Sequence, residues 1–145
     1  MLHILCLIAL VAYGTPAFAG PYVGSQKCAE CHEQQYASFQ SQSKKAKSWH
    51  SVTIMAPKLT PQELESCYEC HTTGYKQGGF KDYASTPHLA GVGCETCHGP
   101  GAAHAESGSP EHIKRKPDPA QCQTCHNASR VTTFNFKPLV YSGGH

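Results

Sequence analysis

Cys94-Glu95-Thr96-Cys97-His98-Gly99-Pro100-Gly101 opens with the pattern Cys-x-x-Cys-His, and the same pattern occurs three more times. The other copies are Cys28-Ala29-Glu30-Cys31-His32, Cys67-Tyr68-Glu69-Cys70-His71 and Cys122-Gln123-Thr124-Cys125-His126. This pentapeptide is the attachment signature of c-type haem. Two thiols one helical turn apart reach the two vinyl groups of one haem and form thioethers. The adjacent histidine then faces the iron as proximal ligand. The other axial ligand, the hydrogen bonds around the site and the local dielectric set the potential.

Eight of the nine cysteines fall in these motifs. Paired Cys-x-x-Cys units also bind zinc, and cysteine-rich chains also form disulfide frameworks. Neither alternative calls for a histidine directly after every second cysteine. The motifs therefore predict four covalently attached c-type haems, held through Cys28, Cys31, Cys67, Cys70, Cys94, Cys97, Cys122 and Cys125. His32, His71, His98 and His126 are the proximal iron ligands.

The N-terminus resembles a secretory signal. Residues 4–13 form an apolar run too short to span a bilayer, and Ala17-Phe18-Ala19 is a small-x-small cleavage site. The expectation is a signal peptide over 1–19 and one mature domain over 20–145. The segment before the apolar run has no Lys or Arg, which leaves an uncleaved membrane anchor as the alternative. Cys6 lies inside this segment and is given no role. Export to the periplasm fits, because bacteria attach haem covalently outside the cytoplasm. An extracellular location is the other option.

Four haems in about 126 residues leave about 31 residues for each, too few for four separate cores. A mean hydropathy of −0.42 agrees. The haems themselves are expected to form the core, with the polypeptide wrapped around them. The fold class is then mainly α with extensive loops, a compact multihaem arrangement with little or no β-sheet.

Charge must be corrected for the cofactor. The apo chain carries +2, with no charged side chain before residue 20. Eight ionised propionates would add roughly −8. The holoprotein is thus acidic, at about −2 with ferric irons and −6 with ferrous ones. A nucleic-acid partner is excluded on this basis. The lysines of Lys44-Lys45-Ala46-Lys47 and Lys114-Arg115-Lys116 are expected on the surface or against propionates.

Local signals place the motifs. Residues 33–48 lack Gly and Pro and predict one helix continuing past the first motif, followed by an extended linker over 51–59. Thr60-Pro61-Gln62-Glu63 is a capping box with Pro at the first helical position, ahead of the second motif. Residues 72–86 are loop. Gly99-Pro100-Gly101 stops the helix of the third motif, and Ser109-Pro110-Glu111 starts one short turn. Asp118-Pro119-Ala120-Gln121 repeats the capping logic ahead of the fourth motif. Alternation around 131–136 is short. First cysteines are spaced by 39, 27 and 28 residues, so no fixed structural repeat runs through the chain.

Ten histidines provide the axial ligands. After His3 and the four proximal residues, His50, His88, His104, His112 and His145 remain. Methionine offers only Met55, so at most one haem is His/Met and most are bis-His, at low potential. His50, His88, His104 and His145 are the candidate distal ligands. His104 lies too close in sequence to His98 to cap the same haem and is expected to serve a neighbour. His112 sits among charges and is expected to be a solvated surface residue.

Several longer strings carry a resemblance. They are Lys45-Ala46-Lys47-Ser48-Trp49-His50, the second motif continued by Thr72-Thr73-Gly74-Tyr75, and Thr86-Pro87-His88-Leu89. The third motif continued by Gly99-Pro100-Gly101 and His104-Ala105-Glu106-Ser107-Gly108, and Phe134-Asn135-Phe136-Lys137-Pro138-Leu139, complete the set. In these the chain resembles the tetrahaem cytochrome c-554 family over nearly all of its mature length. The resemblance implies a helical, loop-rich fold whose haems stack in close pairs, like those of octahaem hydroxylamine oxidoreductases. It also implies electron carriage between a periplasmic oxidoreductase and a membrane quinol-linked cytochrome. One haem of the family's nitrifier member is five-coordinate, whereas this chain has histidines for all four irons.

Three functions follow. An electron carrier needs closely spaced, six-coordinate haems and no substrate site. An enzyme acting on nitric oxide, nitrite or hydroxylamine needs an open iron with a proton donor beside it, and no residue pair here is singled out for that. A subunit of a conductive extracellular filament would self-assemble head to tail, with terminal His145 reaching a neighbour. The carrier is the expected function, which makes catalysis the lesser reading.

Overall fold

The computed structural model describes residues 21–130. The signal segment, Cys6, His145 and the 131–136 alternation lie outside those residues. Six α-helices carry the described chain: α1 (Ser25–Ala29), α2 (Glu33–Gln42), α3 (Ser48–Met55), α4 (Pro61–His71), α5 (Cys94–His98) and α6 (Ala102–Ser107). Short 3-10 turns occupy Lys44–Lys47, Ala56–Lys58, Pro87–Leu89, Pro110–His112 and Pro119–Thr124. Among the described residues the sole β pairing is one antiparallel bridge, Thr72 to Ala90. The mainly helical, strand-free expectation holds there.

The single helix expected over 33–48 is two helices. The chain turns extended at Ser43, with φ −90° and ψ 121°, and the Ser43 hydroxyl accepts from the Lys45 N–H. A serine whose side chain bonds nearby backbone competes with helix continuation, which composition alone did not reveal. The linker expected over 51–59 is also helical, as α3 and the turn after it. Tertiary packing explains this: Val52 is 3% exposed, and Trp49 stacks on Tyr83 at 5.5 Å between ring centroids.

α4 forms as expected. The Thr60 hydroxyl accepts from the Glu63 N–H while the Glu63 carboxylate accepts from the Thr60 N–H, with Pro61 at the first position. These two bonds satisfy donors that the first turn would leave open. At the other end, the N–H of Thr72 returns to the Tyr68 carbonyl.

The protein core is small. Tyr22, Val23, Phe39, Val52, Phe80 and Leu89 are its buried hydrophobic side chains among the described residues. Tyr22, Phe80 and Leu89 form one cluster, with Trp49, Tyr68, Tyr75 and Ala90 packed against it. This cluster joins α3, α4 and the 72–90 loop. Around the third motif the buried side chains include the polar Thr73 and Glu95, and no residue of the fourth is buried. No helix among the described residues is long and apolar enough to cross a membrane.

Candidate haem-binding site

Each motif closes one turn that brings its histidine beneath its first cysteine. Motifs two and three lie wholly within α4 and α5. In the first motif Cys28 ends up in α1, Cys31 follows that helix, and the His32 N–H bonds to the Cys28 carbonyl at 2.9 Å. In the fourth, Cys122 lies on the 3-10 turn and the His126 N–H bonds to the Cys122 carbonyl at 2.8 Å. Gly99, at φ 83°, ends α5 in a conformation that favours glycine.

The histidines show how the iron would be met. His71 Nδ1 lies 3.0 Å from the Ser48 carbonyl, His98 Nδ1 2.7 Å from the Lys114 carbonyl, and His104 Nδ1 2.8 Å from the Ser109 carbonyl. A carbonyl only accepts, so each Nδ1 carries the proton and donates. The lone pair is then on Nε2. Metal-ligating histidines are held this way, by a backbone or carboxylate partner on the nitrogen away from the metal.

His32, the residue that precedes α2, and His104 on α6 come together. Their rings are nearly parallel, 20° apart, with centroids 6.1 Å apart. His104 thus lies next to the first motif's histidine rather than over its own neighbour His98. His88 is exposed on its 3-10 turn, against Gly24, where an added Cβ would lie 3.2 Å from His88 Cδ2. His50 is exposed on α3. His112 is also exposed, with the Ser107 hydroxyl 2.8 Å from its Nδ1. A cleft of about 460 Å³ runs between Glu111–Lys114 on one side and His98–Pro100 on the other.

The motif thiols pair across the chain. Cys28 and Cys94 are hydrogen-bonded, which pushes the Cys28 thiol above the ordinary range, aided by burial. The same bond lowers Cys94 to about 6, despite burial, with help from the Ser25 hydroxyl. Burial raises Cys70 to about 11, and its contact with Cys125 adds to this. Burial also raises Cys97, which feels the neighbouring Cys122 next. The first motif therefore adjoins the third, the third adjoins the fourth, and the fourth adjoins the second.

Three side chains outside the expected set organise these contacts. Ser48 accepts from Val92 N–H at 2.9 Å and donates to the His71 carbonyl at 3.3 Å. Thr73 accepts from Gly93 N–H at 2.8 Å and donates to the Gly91 carbonyl at 2.8 Å. Glu95, 2% exposed, accepts from the backbone N–H groups of Val23, Gly24 and Gly101. Glu95 occupies a variable position of the third motif. Its only signal in the sequence is a charge where any residue would serve.

Paired thiols, a histidine one turn away and Nδ1-tethered imidazoles fit a covalently held haem. Among the described residues no group of three or more His, Cys, Asp or Glu gathers into a protein-only metal site.

Residues 27–99 match the family described as cytochrome c554 and c-prime. Cytochrome c-554 of Nitrosomonas europaea is 33% identical over 107 residues, 66% of this chain and 45% of that protein. The C-type polyheme cytochrome OmcB of Geobacter sulfurreducens is 32% identical over 86 residues, 55% of this chain and 11% of that protein. The chain thus spans less than half the length of either relative. No solved structure matches it. With half the chain inside the family match, this is a c-type cytochrome belonging to the cytochrome c554 family.

Proposed function

We propose that this cytochrome is a tetrahaem electron carrier with mainly bis-His, low-potential irons, exported by the 1–19 signal and acting as a single 20–145 domain in the periplasm. Bound haem iron supplies one-electron exchange between ferric and ferrous states. The chain's own part is to hold each group in place and to close the second axial position.

The observation that carries the reading is the His32–His104 pair. Its two rings lie near parallel with centroids 6.1 Å apart, which brings the first motif's histidine and one distal candidate to a single place where both would hold one haem. The Nδ1 tether of His104 to Ser109 adds to this support, because it presents Nε2 as the ligating atom. His50, His88 and His145 are the proposed distal ligands of the remaining irons. The thiol contacts support a relay whose attachment sites adjoin in the order first, third, fourth, second. Redox proteins exchange electrons at its two ends, a periplasmic oxidoreductase and a membrane quinol-linked cytochrome.

Electron paramagnetic resonance of the oxidised protein, with haems counted by mass spectrometry, tests the reading. Four attached haems and low-spin signals are expected. His104→Ala should turn one iron high-spin, and added imidazole should restore it. An unchanged spectrum in that variant would mean that His32 and His104 are an ordinary aromatic pair.

A further inference from the structure

We propose that Glu95 is a positioning residue for the first motif's haem, acting through three backbone segments that its buried carboxylate holds together. The inference rests on the His32–His104 ligand pair proposed above. Glu95 is the second residue of α5 and its side chain turns back from the helix. Oε1 accepts from Val23 N–H at 2.9 Å and from Gly101 N–H at 2.7 Å. Oε2 accepts from Gly24 N–H at 2.7 Å and from Val23 N–H at 3.2 Å.

Two of these partners, Gly24 and Gly101, occupy decisive places. Gly24 is the N-cap of α1, which carries Cys28, and the Cys28 thiol points back to the Gly24 carbonyl at 3.8 Å. Gly101 is the N-cap of α6, which carries His104. Glu95 itself follows Cys94, whose N–H bonds to the Ser25 hydroxyl at 3.0 Å. One carboxylate therefore fixes the helix beneath His32 and the helix that brings His104 to it, with the third motif as the common base. Charge-assisted bonds to backbone N–H groups are the stronger kind. A buried acceptor with both oxygens occupied leaves little freedom to the segments it holds.

Both oxygens must accept, and that makes the proposal testable. In Glu95→Gln one oxygen becomes an NH2 group facing an N–H donor, so either the Gly24 or the Gly101 side must let go. Gly101→Ala disturbs the same carboxylate from the α6 side, because its new Cβ would lie 3.0 Å from Glu95 Oε1 and that oxygen, which also accepts from Val23 N–H, must give way.

The experiment compares Glu95→Gln, Gly101→Ala and His104→Ala as holoproteins, with haem count by mass spectrometry and spin state by electron paramagnetic resonance. All three should keep four haems. Glu95→Gln and Gly101→Ala should each show high-spin iron at the one site that His104→Ala affects, reversed by added imidazole. The Glu95→Gln/His104→Ala double variant should show no more high-spin iron than His104→Ala alone. High-spin iron in His104→Ala with fully low-spin spectra in the other two overturns the positioning role and spares the ligand pair. A silent His104→Ala overturns the ligand pair and the positioning role with it. If Glu95→Gln fails to fold, Gly101→Ala decides the question alone.

Discussion

The second and fourth motifs start alike and end differently. Thr60-Pro61-Gln62-Glu63 precedes one and Asp118-Pro119-Ala120-Gln121 the other, each an N-cap, a proline and an acidic or amide residue at the third position. The first arrangement yields an 11-residue α-helix, the second a six-residue 3-10 turn. Run-up length is one cause. Six residues separate Thr60 from Cys67 and three separate Asp118 from Cys122. Helix formation needs a costly first turn before each added residue gains a bond, and three residues hardly complete that turn.

The third-position residue is the other cause. Glu63 closes the capping box on Thr60. Gln121 instead reaches away and donates through Nε2 to the Thr96 carbonyl on α5. The surroundings differ in the same sense. α4 lies against aromatic rings, with Tyr68 5.1 Å from Phe80 and 5.8 Å from Trp49 between centroids. No residue from 119 to 130 is buried. The second motif thus rests on the protein's own core, while the fourth is held by neighbouring motifs.

Phe80→Ala attacks this contrast most strongly. Phe80 is 2% exposed at the centre of the aromatic cluster, and truncating a buried aromatic costs about 3–5 kcal/mol. Denaturant unfolding followed by circular dichroism should show that loss. Hydrogen exchange should place it in α3, α4 and the 72–90 loop, with the 119–130 amides little changed. Equal loss of protection in both regions would mean that they unfold as one unit and that the contrast is superficial.

Gln121→Glu tests the other side. A carboxylate cannot donate to the Thr96 carbonyl, so the tether is replaced by two acceptors facing each other. Removing a hydrogen-bond partner from a shielded group costs about 1–3 kcal/mol. Faster exchange of the 119–126 amides is expected, with α4 unaffected. If exchange there stays as slow as before, the Thr96 contact is not what holds the fourth motif.

How much of this could be read in the sequence depended on the range of the interaction. The capping box, the proline starts, the stop at Gly99 and the loop nature of 72–86 are encoded within four or five neighbouring residues, and all appear. The break at Ser43 was also local, yet one of four serines in a Gly- and Pro-free run gives no sign of which way its hydroxyl will turn. α3 was missed because its helicity comes from Trp49 packing against residues 19 to 34 positions away. Glu95 and Ser48 were invisible for the same reason. Their partners lie 71 and 23 residues off, and the motif treats Glu95 as a filler.

Thr60→Ala gives the smallest effect and dissects the capping box by pH. Replacing an N-cap threonine costs about 1 kcal/mol, here within α4 and without effect on haem count. Hydrogen bonds from the Thr60 backbone and hydroxyl hold the Glu63 carboxyl below its ordinary value of 4.5. A carboxyl depressed on folding contributes stability above its unfolded pKa and loses it as pH falls through the folded one. The stability gap between wild type and Thr60→Ala should therefore be full at neutral pH and narrow as pH drops below about 4. Parallel pH profiles down to acid would show that the Thr60 hydroxyl acts only as an acceptor for the Glu63 N–H. The hydroxyl's own bond to the Glu63 carboxylate would then contribute nothing, and the backbone N–H of residue 60, which the alanine keeps, would carry the return half of the box.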